Sequence, residues 1–399
     1  MTEQALIAGG GIGGFAAALA CARAGLGVRL FEQAPVFSEV GAGIQLGPNV
    51  VRVLRGWRLG DGLDAVVGRP QVLRVRSAAD GALLASLPLA GAMEKRYGAP
   101  YLTIHRADLH ALLLAQARQA GIGLDTGCAV GAAYDVGPAV QLSLADGSRV
   151  EGDLLVGADG LWSTVRRAWP GHRSAKYTGH LAYRALVRQA DLPAHLRSVD
   201  VTVWLGPRLH LVHYPVRCGD WLNVAGFVEG PAPPDLAQWD HQASAARLLA
   251  ALGDSAPDLR ELVEAVANWR LWALCGRAPV AGPQEMVRGR VALLGDAAHP
   301  MLPYLAQGAG MAIEDAEELG HALAMTDVDL PSRLQRYAAN RWKRNARVQR
   351  RSGRNGLIFH ARGLLRSGRD LSLRLLGKRL LDMPWLYGWR ATQGLKGPS

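Results

Sequence analysis

Residues 9–14 read Gly-Gly-Gly-Ile-Gly-Gly, five glycines in six positions. Glycine loses more backbone freedom on ordering than any other residue, so such a run belongs to a turn with a purpose. Its flanks give that purpose. Residues 5–8 form a short apolar strand, and residues 15–24 form an alanine-rich helix with Gly25 as its C-cap. Residues 28–31 form a second apolar strand, which ends at Glu32. This is a β-turn-α-β unit. Within it Gly9-x-Gly11-x-x-Gly14 has the dinucleotide spacing. Gly9 permits the tight turn, Gly11 lets backbone approach a pyrophosphate, and Gly14 lets helix pack on strand. The helix N-terminus offers free N–H groups and a partial positive charge to phosphates. Glu32 can accept both hydroxyls of an unphosphorylated ribose and would repel a 2′-phosphate. Gln33, which follows it, joins the cofactor-binding set.

Composition limits what surrounds this unit. A chain of 399 residues with 49% apolar and 20% charged residues has material for two or three domains and excludes a disordered chain. The four cysteines lie far apart with no CxxC spacing, which points to a reducing, cytoplasmic location and to neither a disulfide scaffold nor a metal site. The uncharged stretch 5–22 is glycine-rich and follows Met-Thr-Glu-Gln, unlike a signal peptide or spanning helix. The net charge of +11 is local: residues 341–380 carry thirteen Lys/Arg against one acid, Asp370. A solvated helical face is the first reading of that segment. A homodimer or weak lipid contact is the second, through Leu357, Ile358, Leu364 and Leu365. Nucleic acid is not expected, because no recognition module accompanies the charge.

Along the chain, residues 72–87 alternate as sheet, 105–120 read as a helix, and 140–150 as a hairpin turning at Ala145-Asp146-Gly147. A buried strand at 154–156 runs into Gly157-Ala158-Asp159-Gly160. Residues 177–274 are strand-rich with one helical stretch at 244–267. A strand at 290–294 runs into Gly295-Asp296, and a long helix spans 308 to about 324. The nucleotide-type signals lie on both sides of the sheet-rich part. This organisation predicts a discontinuous cofactor domain with a substrate domain inserted.

The two later strand-end motifs extend the first. Asp159-Gly160-Leu-Trp-Ser-Thr-Val-Arg166 and Gly295-Asp296-Ala-Ala-His-Pro300, the latter followed by Pro303 and Gln307-Gly308-Ala309-Gly310, complete an ordered set. With them the chain resembles the class A flavoprotein aromatic monooxygenases, which include the p-hydroxybenzoate, salicylate and 3-hydroxybenzoate hydroxylases. The resemblance covers residues 5 to 345. It implies an α/β fold: a Rossmann-like FAD-binding domain of the GR2 type, an inserted β-sheet substrate domain, and C-terminal helices. The boundaries it suggests are 1–70, 101–175 and 277–345 for the FAD domain, 71–100 and 176–276 for the substrate domain, and 346–399 for the basic helical segment.

The resemblance also implies roles. Glu32 would bind the adenosine ribose and Arg106 the phosphate and ribityl region. Asp159 and Gly160 would support the pyrophosphate and a transient nicotinamide nucleotide. Asp296, after Gly295, would accept from a ribityl hydroxyl, with Pro303, Gly308 and Ala309 beside the isoalloxazine. A glycine turn opening a helix presents N–H donors and a positive dipole end, which would stabilise anionic reduced flavin. FAD would be the cofactor and NADH or NADPH the co-substrate. O2 would react through a flavin C4a-hydroperoxide that hydroxylates a small phenolic aromatic acid.

Residues 209–215 read Leu-His-Leu-Val-His-Tyr-Pro. In a strand His210, Val212 and Tyr214 share one face, and Leu211 and His213 the other. Family members acting on 3-hydroxybenzoate or hydroxypyridines carry a similar His-x-x-x-Tyr-Pro, so the resemblance makes His210 the base and Tyr214 a substrate partner. Gln45 and Arg184 are further residues that could meet substrate or flavin. Pro303 stands where 3-hydroxybenzoate 6-hydroxylases carry glutamine. The ring therefore stays open among hydroxybenzoate, hydroxypyridine and quinone-type substrates. A plain NAD-dependent dehydrogenase is the other alternative, and it leaves Asp159-Gly160 and Gly295-Asp296 without a role.

Overall fold

A computed structural model describes residues 2–38, 42–238 and 241–392. The glycine-rich unit forms as a strand Gln4–Ala8, a helix Ile12–Arg23 and a strand Gly27–Glu32. The helix begins three residues earlier than the alanine run, because Ile12, Gly13 and Gly14 already form its first turn. These strands sit in a six-stranded sheet of order Val287–Arg288, Val291–Leu293, Leu154–Gly157, Gln4–Ala8, Gly27–Glu32, Gly123–Thr126. All pairings are parallel except that of the short outer strand Val287–Arg288. Ala5, Leu6, Ile7 and Ala8 are fully buried, as a parallel strand covered on both faces must be. The sheet thus joins segments from the start, middle and later part of the chain.

The second large sheet has eight strands, ordered His241–Ala243, Trp269–Gly276, Lys176–Arg188, Trp221–Glu229, Leu209–Val216, Val201–Gly206, Val72–Ser77, Leu83–Pro88. Its neighbours are antiparallel except Val201–Gly206 with Val72–Ser77. One face packs on helices Ala245–Leu252 and Pro257–Glu264 through Leu211, Val224, Leu248 and Leu259. The sequence suggested one helix here. Gly253 breaks it, with φ +54. The other face looks toward the first sheet. A two-stranded ribbon, Gly43–Leu46 with Leu102–His105, lies between the two sheets. Asn223 Oδ1 accepts from the Gly43 N–H (2.6 Å), and the Thr103 hydroxyl donates to the Pro215 carbonyl.

Three long helices close the structure: Gly308–Leu323, Leu330–Phe359 and Gly363–Leu381. The first crosses the Ile12–Arg23 helix closely; a Cβ on Gly320 would lie 3.3 Å from the Ala20 carbonyl oxygen. This contact explains the alanine-rich composition of the earlier helix. The last helix lies on the sheet edge, where a Cβ on Gly377 would stand 2.6 Å from that of Ala85.

The basic C-terminal run is only partly a solvated face. Arg341 (1% exposed) donates Nε–H to Asp315 Oδ1 (2.7 Å) and pairs with Glu314 Oε2 (3.0 Å). Arg344 makes two bonds to Glu314, at 2.6 and 2.7 Å. Asn345 donates to Asp315 (2.9 Å), and Asn49 donates to Glu314 (2.7 Å). Asp315 Oδ2 accepts from the Gly295 N–H (3.2 Å) and bonds His299 Nε2. Burial alone would raise the Asp315 carboxyl, but His299 and Arg341 outweigh it and hold it below the usual carboxylate range. Its contribution to stability is therefore present above the ordinary carboxylate pKa. It is lost only as pH falls through the depressed value. Removing one partner leaves buried charge uncompensated, so Arg341→Ala should cost about 3–5 kcal/mol. The check is the denaturant midpoint together with retention of bound cofactor.

Candidate active site

One cavity of about 1590 Å³ runs from the glycine turn, between the two sheets, to the C-terminal helices. At its first end, Gly9 has φ +102, and a Cβ there would lie 2.6 Å from the Ala158 carbonyl oxygen. A Cβ on Gly14 would stand 1.8 Å from the Gly9 carbonyl oxygen. Gly14 therefore does its work behind the turn, while Gly9 and Gly11 line the cavity. The Ile12–Arg23 helix has no side-chain N-cap, so its first N–H groups are available to an anion. Glu32 closes this end and accepts from the N–H groups of Gly10 (2.6 Å) and Ala34 (2.8 Å). Gln33 lies beside it on the wall.

Arg106 opens the Arg106–Gln119 helix and also lines the cavity. Asp159 Oδ2 accepts from the N–H groups of Thr164 (2.7 Å) and Val165 (3.1 Å), while Oδ1 is buried without a partner. Burial raises this carboxyl against those hydrogen bonds. Gly160 follows in the left-handed region at φ +74. At the end of the neighbouring parallel strand Gly295 (φ +56) leads to Asp296, which is exposed and lines the cavity. Pro303, Gly308 and Ala309 continue that wall. The Gly308–Leu323 helix also has no side-chain cap, so its N-terminus presents bare donors beside Pro303.

The far end is walled by the second sheet. Register places His210 opposite Phe227, Val212 opposite Ala225 and Tyr214 opposite Asn223, and all six line the cavity. His213 points to the other face, where burial and the Arg76 charge push it down to about 4. His210 stacks on Phe227 (4.6 Å between centroids) and meets Tyr304 edge-on (4.9 Å). Burial first, then His360 and His180, hold His210 well below the ordinary imidazole range, so it is neutral at pH 7. Tyr101 donates its hydroxyl to Gln45 Oε1 (2.5 Å) beside Tyr214. Burial raises the Tyr214 hydroxyl even though Arg184 and Gln45 pull it down, so it remains a neutral donor. The Arg184 guanidinium lies 3.3 Å over the Trp272 ring. Burial pushes it down to about 9, with Tyr214 opposing and Arg106 assisting, so it stays charged.

The sequence reading did not single out Tyr304, Phe227, Trp272 or His360. Phe227 was reachable, since the tight turn at Arg217–Gly219 fixes the pairing of the strands on either side. His360 carries no local signal, because it reaches His210 across 150 residues. Gly14→Ala should force the first turn apart. The purified variant should lose its dinucleotide, read as the ratio of cofactor to protein absorbance.

The donors fit a dinucleotide with a further ring system: a cradle that tolerates no Cβ, two uncapped helix N-termini, and the unpartnered Asp159 oxygen. The FAD binding domain family matches residues 2–352. The 3-hydroxybenzoate 6-hydroxylase of Polaromonas naphthalenivorans is 39% identical over 96% of this chain and 95% of that protein. The 6-hydroxynicotinate 3-monooxygenase of Bordetella bronchiseptica is 38% identical over 88% of this chain and 90% of that protein. A salicylate hydroxylase substrate complex superposes with a TM-score of 0.82 at 26% identity, covering 98% of this chain and 96% of that one. The chain therefore belongs to the FAD binding domain family. It is a class A flavoprotein aromatic monooxygenase with FAD as cofactor and NADH or NADPH as co-substrate.

Proposed function

We propose that the protein hydroxylates a small hydroxybenzoate-type acid ortho or para to its existing hydroxyl. The observation that carries this reading is His210. It is neutral and buried, its Nδ1 is engaged by His360 at 2.9 Å, and its ring lines the cavity. Its Nε2 is thereby left to accept a phenolic proton. A phenolate is a stronger nucleophile than a phenol, so removing that proton raises the reactivity of the ring. When bound, FAD supplies the activation of O2, with electrons from NAD(P)H. The balance is one ring C–H converted to C–OH, one NAD(P)H oxidised, and the second oxygen atom leaving as water.

The set proposed to hold FAD is Gly9, Gly11, Gly14, Glu32, Gln33, Arg106, Asp159, Gly160, Gly295, Asp296, Pro303, Gly308 and Ala309. The Gly308 helix N-terminus would hold the developing negative charge of reduced flavin. Tyr214 and Gln45 would orient the ring, and Arg184 would pair with the carboxylate, its planar fork suited to two oxygens. Apolar Val75, Val203, Val212 and Ala225 would keep water from the reacting atoms.

The division into an FAD domain (1–70, 101–175, 277–345), a substrate domain (71–100, 176–276) and a basic helical segment (346–399) is part of the proposal. The free cysteines support a cytoplasmic location. Leu364 (91% exposed) and Leu375 (72%) lie on an apolar face of the last helix that supports a homodimer, with lipid as the competing occupant.

A panel of hydroxybenzoates and hydroxypyridines tests the substrate class. The expected result is NADH oxidation stimulated by a hydroxybenzoate with product in equal amount; stimulation by hydroxypyridines alone would transfer the reading to that ring. His210→Ala should retain FAD and consume NADH, but its product yield should fall by about a hundredfold, with hydrogen peroxide in place of product. In the wild type, the acid limb of product formation should lie below the free imidazole value of about 6.5, because protonation of His210 abolishes the base. Arg184→Gln should raise KM for the acid by roughly 10- to 100-fold, as expected for a lost charged bond of about 1.5–3 kcal/mol. The uncharged amide of the same acid should be little affected.

A further inference from the structure

The proposed base sits in a pocket that disfavours its protonated form, and two side chains, His360 and Glu229, lead from it to the surface. His210 Nδ1 and His360 Nε2 are 2.9 Å apart. His360 is the C-cap of the Leu330–Phe359 helix and is 5% exposed. Its carbonyl accepts from the Arg208 N–H (3.1 Å), which ties it to the turn before the His210 strand. Its other nitrogen, Nδ1, is buried with no hydrogen-bond partner and lies 4.0 Å from Glu229 Oε1. The Glu229 side chain is 28% exposed at the end of its strand. His180 stacks on His360 (4.8 Å, 22°) and bonds the Tyr304 hydroxyl through Nδ1. The remaining charged neighbours are Arg208, which donates to Glu229 Oε2 (2.7 Å), and Arg362 and Arg369.

We propose that His360 is a proton-relay residue that carries the phenolic proton of the substrate from His210 to Glu229 and solvent. This rests on His210 being the base. The starting tautomers are set by the geometry: His210 carries its proton on Nδ1 and donates to His360 Nε2, while His360 carries its own on Nδ1, facing Glu229. The substrate O–H bond breaks as His210 Nε2 gains a proton. The Nδ1 proton of His210 passes to His360 Nε2, and that of His360 leaves toward Glu229. The 4.0 Å gap is spanned by a small approach of the partly exposed carboxylate or by one bridging water. One proton exits, neither imidazole keeps a charge, and both end in the opposite tautomer, to be reset when a proton returns. Burial makes imidazolium unfavourable at both positions, and His360 itself is pushed down to about 4, with His180 adding to the effect and Glu229 opposing it. Transfer through the pair avoids storing charge on either ring.

His180, Glu229 and His360 also place one ligand atom each within 4.8 Å of one another. A cation site fits them less well. Glu229 is already paired with Arg208, and the two imidazoles stack instead of splaying around a common point.

The test follows proton release when each hydroxybenzoate isomer binds to the oxidised holoenzyme, using stopped flow with a pH indicator and the phenolate absorbance of the ligand. The expected wild-type result is phenolate formation with release of one proton. His360→Gln should slow release by about tenfold or more while FAD content and ligand affinity stay within about twofold. Glu229→Gln, at the exposed end, should slow it in the same direction and decides the matter if His360→Gln does not fold. Release at the wild-type rate in either folded variant overturns the relay. If the wild type binds ligand with no phenolate formed, or if His210→Gln forms it normally, the base reading itself fails. Zn2+ retained stoichiometrically through dialysis, and lost in His180→Gln, would make the cluster a metal site and also overturn the relay.

Discussion

The structure depends on a pair of adjacent buried acids, Glu314 and Asp315, and on what they hold. Between them they bind Asn49 on the helix Pro48–Gly56, Gly295 and His299 in the turn that carries Asp296, and Arg341, Arg344 and Asn345 on the long C-terminal helix. Both carboxylates are fully buried, and taking such charges out of water costs several kcal/mol per ion. A hydrophobic cluster of equal volume would be no less stable. It would not fix the direction of the Gly308–Leu323 helix or the position of the turn that faces it. The network therefore trades stability for placement. It fixes a helix N-terminus and the Asp296 turn relative to each other, the two features proposed to hold the flavin end of the cofactor.

That view changes the meaning of the basic segment. Counted along the chain, thirteen cations against one acid read first as a solvated helical face. In space, Arg341 and Arg344 neutralise acids from a helix some thirty residues earlier, and Arg369 is spent on the carbonyls of Ile358 and Phe359 at the end of the preceding helix. Net charge is a sum over sequence, whereas electrostatic energy is a sum over distances. The two agree only for groups in solvent. The spacing of Arg341, Arg344 and Asn345 puts them on one helix face, but that this face turns inward onto acids is set by tertiary packing.

The glycine unit, the strand ends at Asp159 and Asp296, and the facing of His210 and Tyr214 were legible because each rests on a local rule. These rules are the φ a turn requires, the dipole of a helix start, and the two-residue repeat of a strand. The break at Gly253 was missed although Gly253-Asp-Ser-Ala-Pro257 carries a stop and a start signal: Gly253 ends the first helix at a positive φ and Pro257 opens the second. Tyr304 and His360 were missed for a different reason. Tyr304 lies one residue past Pro303 in a segment read for its glycines, and His360 follows a helix whose register on the sheet is set by tertiary packing. No periodicity in the sequence links position 360 to position 210.

The second sheet shows how one layer serves two purposes. Its outer face buries Leu211 and Val224 under Leu248 and Leu259 of the two helices and gives the strands their stability. Its inner face is free to carry Arg184, His210, Tyr214 and Asn223, which no packed core would accept together. Alternation along each strand keeps the two populations apart, so a single-residue slip in register would exchange them. The ribbon bonded at Gly43 and Thr103 to this sheet pins that register on either side of Tyr214, through Asn223 and Pro215. Burial then acts twice on the same residue. It keeps water from His210, which would favour the proposed chemistry, and it depresses the basicity of His210, which would oppose it. A site that needs the first effect must offset the second. Under the proposed function the Tyr214 hydroxyl, a neutral donor on the same face, would do so by favouring the phenolate oxygen it meets, so that the weak base has less work to do.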